Sequence, residues 1–239
     1  MLLSTGADNL VKLWDVNEKK ALRDLKGHTA PVTGAVFLPD GKTVASISHD
    51  RTVKLWNVAD GKEAGSMGPT PDDLYGIALS PDGKKLATSG YGGNLTVWDL
   101  AAKKQVFQKK LPQFGAYCVI WSPDGKSVAY LEQSIDGTRL MVQSLDSTAP
   151  TELVAQVSGQ PSQLAWSADS NRIYFLGTGP SLSGVSVVSR AGGVPERVLP
   201  NANFFHLSKD GATLAVWRGA QGNGNGSRYS VWISSPPGS

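Results

Sequence analysis

Long apolar runs, paired cysteines, blocks of like charge and helical periodicity are all scarce in this chain of 239 residues. Each scarcity excludes a class of protein. No apolar stretch approaches the roughly 18 residues needed to cross a bilayer as a helix, so no membrane span is expected. The opening MLLSTGAD has no basic region and no long apolar segment, and it does not read as a signal peptide. The compartment stays open, with the cytoplasm favoured over the cell envelope. A single cysteine, Cys118, excludes an internal disulfide and predicts a buried, inert thiol. The net charge of +3 is small, and Lys109-Lys110 reads as a solvated strand end, so no nucleic-acid partner is expected. The three histidines, His28, His49 and His206, lack metal-ligand spacing, and His206 falls in an apolar strand column that places it in the core. No G-x-S-x-G, Walker loop or H-E-x-x-H is present. The expectation is therefore no catalytic residues, no cofactor and no metal. GAQGNGNGS, residues 219–227, has glycines but no following helix, and reads as a flexible loop rather than a phosphate cradle.

What the chain does contain is a repeat. FLPDGK, LSPDGK, WSPDGK, WSADSN and LSKDGA place their aspartates at Asp40, Asp82, Asp124, Asp169 and Asp210, spaced 42, 42, 45 and 41 residues apart. Trp14, Trp56 and Trp98 keep the same 42-residue beat. Pro-Asp-Gly between apolar runs is a tight-turn signature, because proline presets φ and glycine accepts a positive one. Before each turn, Phe37, Leu79, Trp121, Trp166 and Leu207 form one column. Ala35, Ile77, Val119, Leu164 and Phe205 form a second, two residues earlier. A spacing of two is strand periodicity, and the apolar residues between the columns predict strands buried on both faces. The second unit divides into strands near 32–38, 43–48, 52–58 and 62–67. Units of four strands every 40–45 residues are the signature of a β-propeller, and no unit has the i, i+3, i+4, i+7 pattern of a helical repeat.

The unit GHTAPVTGAVFLPDGKTVASISHDRTVKLWN, residues 27–57, resembles a WD-repeat (WD40) propeller blade. The resemblance implies a buried His–Ser/Thr–Asp–Trp clamp, here His28, Ser46, Asp50 and Trp56. Ser4, Asp8 and Trp14 repeat it without a histidine, and Thr88 and Trp98 repeat it with Gly92 where an aspartate is expected. Further on the pattern thins: Asp136 remains, while Val142 and Glu132 take the tryptophan and serine positions. A Ser-His-Asp hydrolytic reading of His28, Ser46 and Asp50 is disfavoured, since a partly repeated, strand-buried clamp offers no cleft or oxyanion donors. The second half, with VIWSPDGKSVAYL and QLAWSADSNRIYFLG, also resembles TolB-type propellers and those capping prolyl-oligopeptidase-like hydrolases.

The expected fold is all-β: a β-propeller of four-stranded antiparallel blades, about six present, in an N-terminally truncated ring. The opening segment lacks an inner strand and the closing one a fourth strand. One domain is expected over residues 1–234, with WD40-like blades at 1–100, degenerate blades at 101–234 and a disordered tail at 235–239. The resemblance implies a non-enzymatic scaffold that binds a protein or peptide through one loop face, on which His49, Arg51, Asp72, Asp73, Tyr91, Phe114, Gln133 and Arg139 are expected. The open blade edge also offers self-association. Two alternatives stand beside this reading: a sensor or gating propeller of a larger enzyme (a hydrolase or kinase fusion), and a TolB-like, ligand-binding propeller of the cell envelope.

Overall fold

The computed structural model of the chain describes residues 1–111, 115–157, 163–177, 183–208, 210–219 and 229–234. Phe114, most of the 219–227 loop and the 235–239 tail lie outside them. Among the described residues there are strands and turns but no helix. None, therefore, is a helix long and apolar enough to cross a membrane.

The strands of the described residues form six antiparallel sheets. The first contains β1 (Leu2–Thr5), β2 (Val11–Asp15) and β3 (Lys20–Leu25). The second contains β4 (Val32–Phe37), β5 (Thr43–Ser48), β6 (Val53–Asn57) and β7 (Glu63–Met67). The third contains β8 (Leu74–Leu79), β9 (Lys85–Gly90), β10 (Asn94–Asp99) and β11 (Lys104–Lys110). The fourth contains β12 (Ala116–Trp121), β13 (Ser127–Ser134), β14 (Gly137–Ser144) and β15 (Thr151–Val157). The fifth contains β16 (Leu164–Trp166), β17 (Arg172–Gly177), β18 (Gly184–Ser189) and β19 (Glu196–Pro200). The last contains β20 (Phe204–Leu207), β21 (Leu214–Gly219) and β22 (Tyr229–Ser234). Within every sheet the strands follow one another in chain order, so each sheet is a meander of hairpins, as in a propeller blade. The chain divides into two compact units, Met1–Trp121 and Ser122–Ser239.

The repeated Asp turns that separate first from second strands have a common chemistry. The backbone N–H of Gly41, Gly83, Gly125, Ser170 and Gly211 each donates to the carbonyl three residues earlier, at 2.8–3.0 Å. The aspartate carboxylate then receives the N–H two residues on, from Lys42, Lys84, Lys126, Asn171 and Ala212. These are Asx turns, which hold the hairpin before any long-range contact forms. Ser170 takes the glycine position at φ 62°, so the fifth sheet keeps the turn without the glycine.

Each interior is built between neighbouring sheets. In the first unit, Val11, Leu25, Val32, Val44 and Trp56 form one cluster. Ile47, Leu55, Met67, Leu74, Leu86 and Trp98 belong to the next. In the second unit, Tyr174, Val185, Val187, Phe205, Leu207, Leu214 and Val216 pack together. The second strands β5 and β9 are almost wholly buried, whereas β4 and β8 are largely half-buried. This corrects the expectation that first strands are buried on both faces. A first strand is the edge of its sheet and has a neighbour on one flank only. His206 is also corrected: it is exposed, because the two-residue period buries Phe205 and Leu207 and turns the residue between them outward.

Candidate functional site

Two side-chain constellations stand out in the first unit, one buried and one exposed. The buried one lies within the second sheet. Ser46 is on β5, Asp50 in the turn after it, Trp56 on β6, and His28 on the segment entering β4. His28 Nδ1 lies 2.7 Å from Asp50 Oδ2, and His28 Nε2 lies 2.8 Å from Ser46 Oγ. Trp56 Nε1 donates to the same Ser46 oxygen at 2.8 Å. An ionised carboxylate only accepts, so Nδ1 carries the imidazole proton and Nε2 accepts from the serine hydroxyl. Asp50 also accepts from the Thr29 backbone N–H at 3.0 Å and the Thr52 hydroxyl at 2.6 Å.

The order Ser–His–Asp and its distances match those of a hydrolytic triad, but access does not. Ser46 is 0% exposed, and so is the His28 side chain. A substrate carbonyl cannot reach an oxygen enclosed between an indole and an imidazole, so the arrangement positions strands rather than reacting atoms. Burial lowers the His28 pKa below its ordinary 6.5, only partly opposed by Asp50. Burial would raise the Asp50 pKa, but the bonds from Thr52, His28 and Thr29 outweigh it and hold the carboxyl below 3.8.

A pH dependence follows. Between the depressed folded-state pKa of His28 and 6.5, the unfolded chain binds the proton more readily than the folded one. Stability from this group is complete above 6.5 and declines as pH falls below it. The Asp50 contribution holds above 3.8 and is lost only below that pH. Urea midpoints at pH 7.5 and 5.5 should therefore show a loss in the wild type that His28→Ala reduces. An equal loss in both would remove His28 as its source.

The other members are set differently. In the first sheet, Trp14 Nε1 donates to Ser4 Oγ at 2.8 Å, while Asp8 pairs with Lys12 at 3.0 Å. In the third sheet, Trp98 Nε1 donates to Thr88 Oγ1 at 2.9 Å. There the carboxylate comes from elsewhere: Asp72, on the segment before β8, accepts from Asn94 Nδ2 at 3.0 Å. Side chains at Gly90 or Gly92 would stand 2.6–2.7 Å from that carboxylate, so the glycine in the turn makes room for an aspartate arriving from the loop. Sequence reasoning placed Asp72 on the partner face, and the structure ties it down within its own sheet.

The exposed constellation is a row of aromatic rings. His49 lies 4.5 Å from Tyr75, ring centre to ring centre. Tyr75 lies 6.0 Å from Tyr91 and 5.5 Å from Tyr117, and Tyr91 and Tyr117 are 6.4 Å apart. The contacts of Tyr117 with Tyr75 and Tyr91 are edge-on, a favoured arrangement for aromatic rings, and the other two are tilted. Tyr91 is 59% exposed and Tyr117 37%. Burial, and then the Asp73 carboxylate, raise the Tyr75 hydroxyl above its ordinary 10.0. Tyr75 and Tyr117 were not foreseen, although a signal existed: His49 to Tyr91 and Tyr75 to Tyr117 are each 42 residues, the length of the repeat.

The remaining expected face residues make contacts of their own. Arg51 is exposed in the β5–β6 turn, and the Asp73 carbonyl accepts the Tyr91 N–H at 2.9 Å. Gln133 and Arg139 belong to the second unit. There Gln133 Oε1 accepts from the Thr138 hydroxyl, and Arg139 pairs with Glu132 and Glu152 at 3.3 Å each. Glu132 is 1% exposed, so Arg139 is committed to a buried carboxylate rather than displayed. Cys118 is half-buried, and burial pushes its thiol up to about 11, which leaves it protonated and unreactive at neutral pH. Among the described residues, no group of three or more His, Cys, Asp or Glu side chains is placed to hold a metal ion.

The family described as WD domain, G-beta repeat matches residues 19–57 and 64–99, which span β3 to β6 and β7 to β10. No curated protein matches the chain.

Proposed function

This chain carries WD repeats, at residues 19–57 and 64–99, and we propose that it acts as a non-enzymatic binding module whose contact surface is the aromatic row His49, Tyr75, Tyr91 and Tyr117. WD-repeat propellers typically serve protein–protein interaction. The observation that carries the reading is the exposure of two mutually packed tyrosines, Tyr91 and Tyr117, on a strand-and-turn framework. Tyrosine is enriched among the residues that dominate interface energetics, because it adds a large contact area with few rotors to freeze. The ring contacts with Tyr75 hold both rings in place before a partner arrives, which lowers the entropy lost on binding. The occupant is a protein or peptide.

Replacing Tyr91 and Tyr117 together by alanine should weaken a bound peptide by about 2 kcal/mol or more, roughly thirtyfold in Kd. Stability should change little, since both side chains are partly exposed. Peptides selected from a displayed library against the 239-residue chain supply the ligand. Their affinities for wild type and the double variant, with amide-exchange footprints, supply the readout. Selected peptides that bind both proteins equally, or protect residues remote from 49, 75, 91 and 117, would locate the contact surface elsewhere.

A further inference from the structure

Local backbone features hold the three tyrosines of the aromatic row. The register of β8 against β9 shifts between Leu74 and Gly76, which leaves Tyr75 as the extra residue of a β-bulge, a device that re-aims a side chain. Thr33, 42 residues earlier, sits at the matching shift in β4 and spends its hydroxyl on the Leu74 carbonyl at 2.8 Å. Tyr117 lays its ring against the chain at Gly115, where a Cβ would stand 2.9 Å from the ring. The Tyr91 N–H is held by the Asp73 carbonyl at 2.9 Å. Ring centres 5.5–6.4 Å apart are in direct contact, so the three tyrosines form a platform rather than an enclosure.

The charge beside this platform is a carboxylate. Asp73 is bonded to Tyr91 through its backbone, and its side chain is the charged group that raises the Tyr75 hydroxyl. Among the described residues it has no ion-pair partner. Of the nearby cations, Lys110 donates to the Gly92 carbonyl, and Arg51 belongs to the β5–β6 turn with His49. Burial, and then Tyr91 and Tyr75, raise the Tyr117 hydroxyl above its ordinary 10.0, so the phenols stay neutral at physiological pH.

We infer that the platform receives an arginine side chain displayed by the partner, its guanidinium face on a tyrosine ring and its N–H edge toward Asp73. This assignment rests on the reading of the aromatic row as the contact surface and names the chemistry that the row selects. The faces of aromatic rings carry negative potential and attract a cation. A guanidinium is planar and weakly hydrated, so it stacks on a ring and donates to a carboxylate in one pose. A lysine ammonium is a compact, strongly hydrated charge with no face to stack. A quaternary ammonium has no N–H for Asp73 and is held best by rings that surround it, which a platform does not supply. An apolar side chain would cover the rings but would also take Asp73 from water without giving it a partner. A carboxylate or phosphate would meet repulsion from Asp73.

The test uses peptides selected against the 239-residue chain whose binding falls when Tyr91 and Tyr117 are both replaced by alanine. These should share an arginine. Citrulline in its place keeps the planar shape and removes the charge, and should weaken binding about tenfold. Asp73→Asn should weaken the arginine peptide about fivefold and leave the citrulline peptide within about twofold. That substitution retains the backbone carbonyl that holds Tyr91. Tyr91→Leu keeps apolar area without the ring and should cost the arginine peptide about threefold to fivefold, whereas Tyr91→Phe should bind as the wild type does. Peptides that need the two tyrosines yet bind equally with citrulline, or bind Asp73→Asn as tightly as the wild type, would overturn the arginine assignment and leave the aromatic row standing. Selected peptides that ignore both tyrosines would remove the surface itself, and the assignment with it.

Discussion

Trp56→Ala is expected to lower the stability of the first unit by about 3–5 kcal/mol, the range for truncating a large buried aromatic residue. Trp56 is 0% exposed and packs with Val11, Leu25, Val32 and Val44, so its ring belongs to the interior of two sheets at once. Its removal leaves a cavity that the β5–β6 ladder cannot close without moving the turn at Asp50. It also deprives the fully buried Ser46 Oγ of its 2.8 Å donor. Trp14→Ala is the internal comparison. That indole makes the same bond to Ser4 but is half-buried, so less apolar area returns to water and the loss should be about 1–2 kcal/mol. Urea unfolding at pH 7.5 separates the two, with amide exchange across residues 43–57 locating the damage. Equal losses for Trp14→Ala and Trp56→Ala would mean that burial by the Gly27-His28 segment contributes little.

The parts of this fold legible in the sequence are those fixed by local chemistry. The second sheet was expected near 32–38, 43–48, 52–58 and 62–67, and its strands are Val32–Phe37, Thr43–Ser48, Val53–Asn57 and Glu63–Met67. Pro-Asp-Gly sets the turn, the turn sets the register, and the two-residue period then sets which side chains face inward. The groups of the buried clamp were legible because they recur at one spacing. The Asp72 carboxylate was not, because it reaches the third sheet from a loop, while its repeat counterpart in the second is Ala30. The aromatic row was hidden for a related reason. Its members alternate between turns and strand starts, so no window of sequence contains the pattern, and only contact across sheets assembles it. Glu132 and Arg139 are directly opposed across β13 and β14, a register set by the two-residue Ile135-Asp136 turn. Reading Arg139 as a surface residue ignored that a buried carboxylate demands a partner.

The second unit lacks most of the WD signature, so its strongest constraint should be sought in backbone geometry rather than in a motif. Gly184 opens β18 at φ 119°, a conformation that side-chain-bearing residues rarely adopt. A Cβ there would stand 2.1 Å from the Leu199 carbonyl oxygen and 2.9 Å from two backbone atoms of Pro200. Those atoms belong to β19, which pairs with β18 through Gly184 and Pro200. A backbone oxygen cannot swing aside as a side chain can, so relief requires the two strands to separate at the end of their ladder. Gly184→Ala should therefore cost about 4 kcal/mol or more, at the exceptional end for a single substitution. Gly192→Ala isolates the conformational part: Gly192 has φ 90°, but a Cβ there meets nothing within 4 Å. Its cost should be about 1–2 kcal/mol, the price of left-handed backbone alone. The remainder for Gly184→Ala is steric, and it should appear as fast amide exchange in Gly184–Ser189 and Glu196–Pro200 while β20 and β21 stay protected. A Gly184→Ala variant no less stable than Gly192→Ala would show that β18 and β19 tolerate separation, and that their pairing contributes little to the unit.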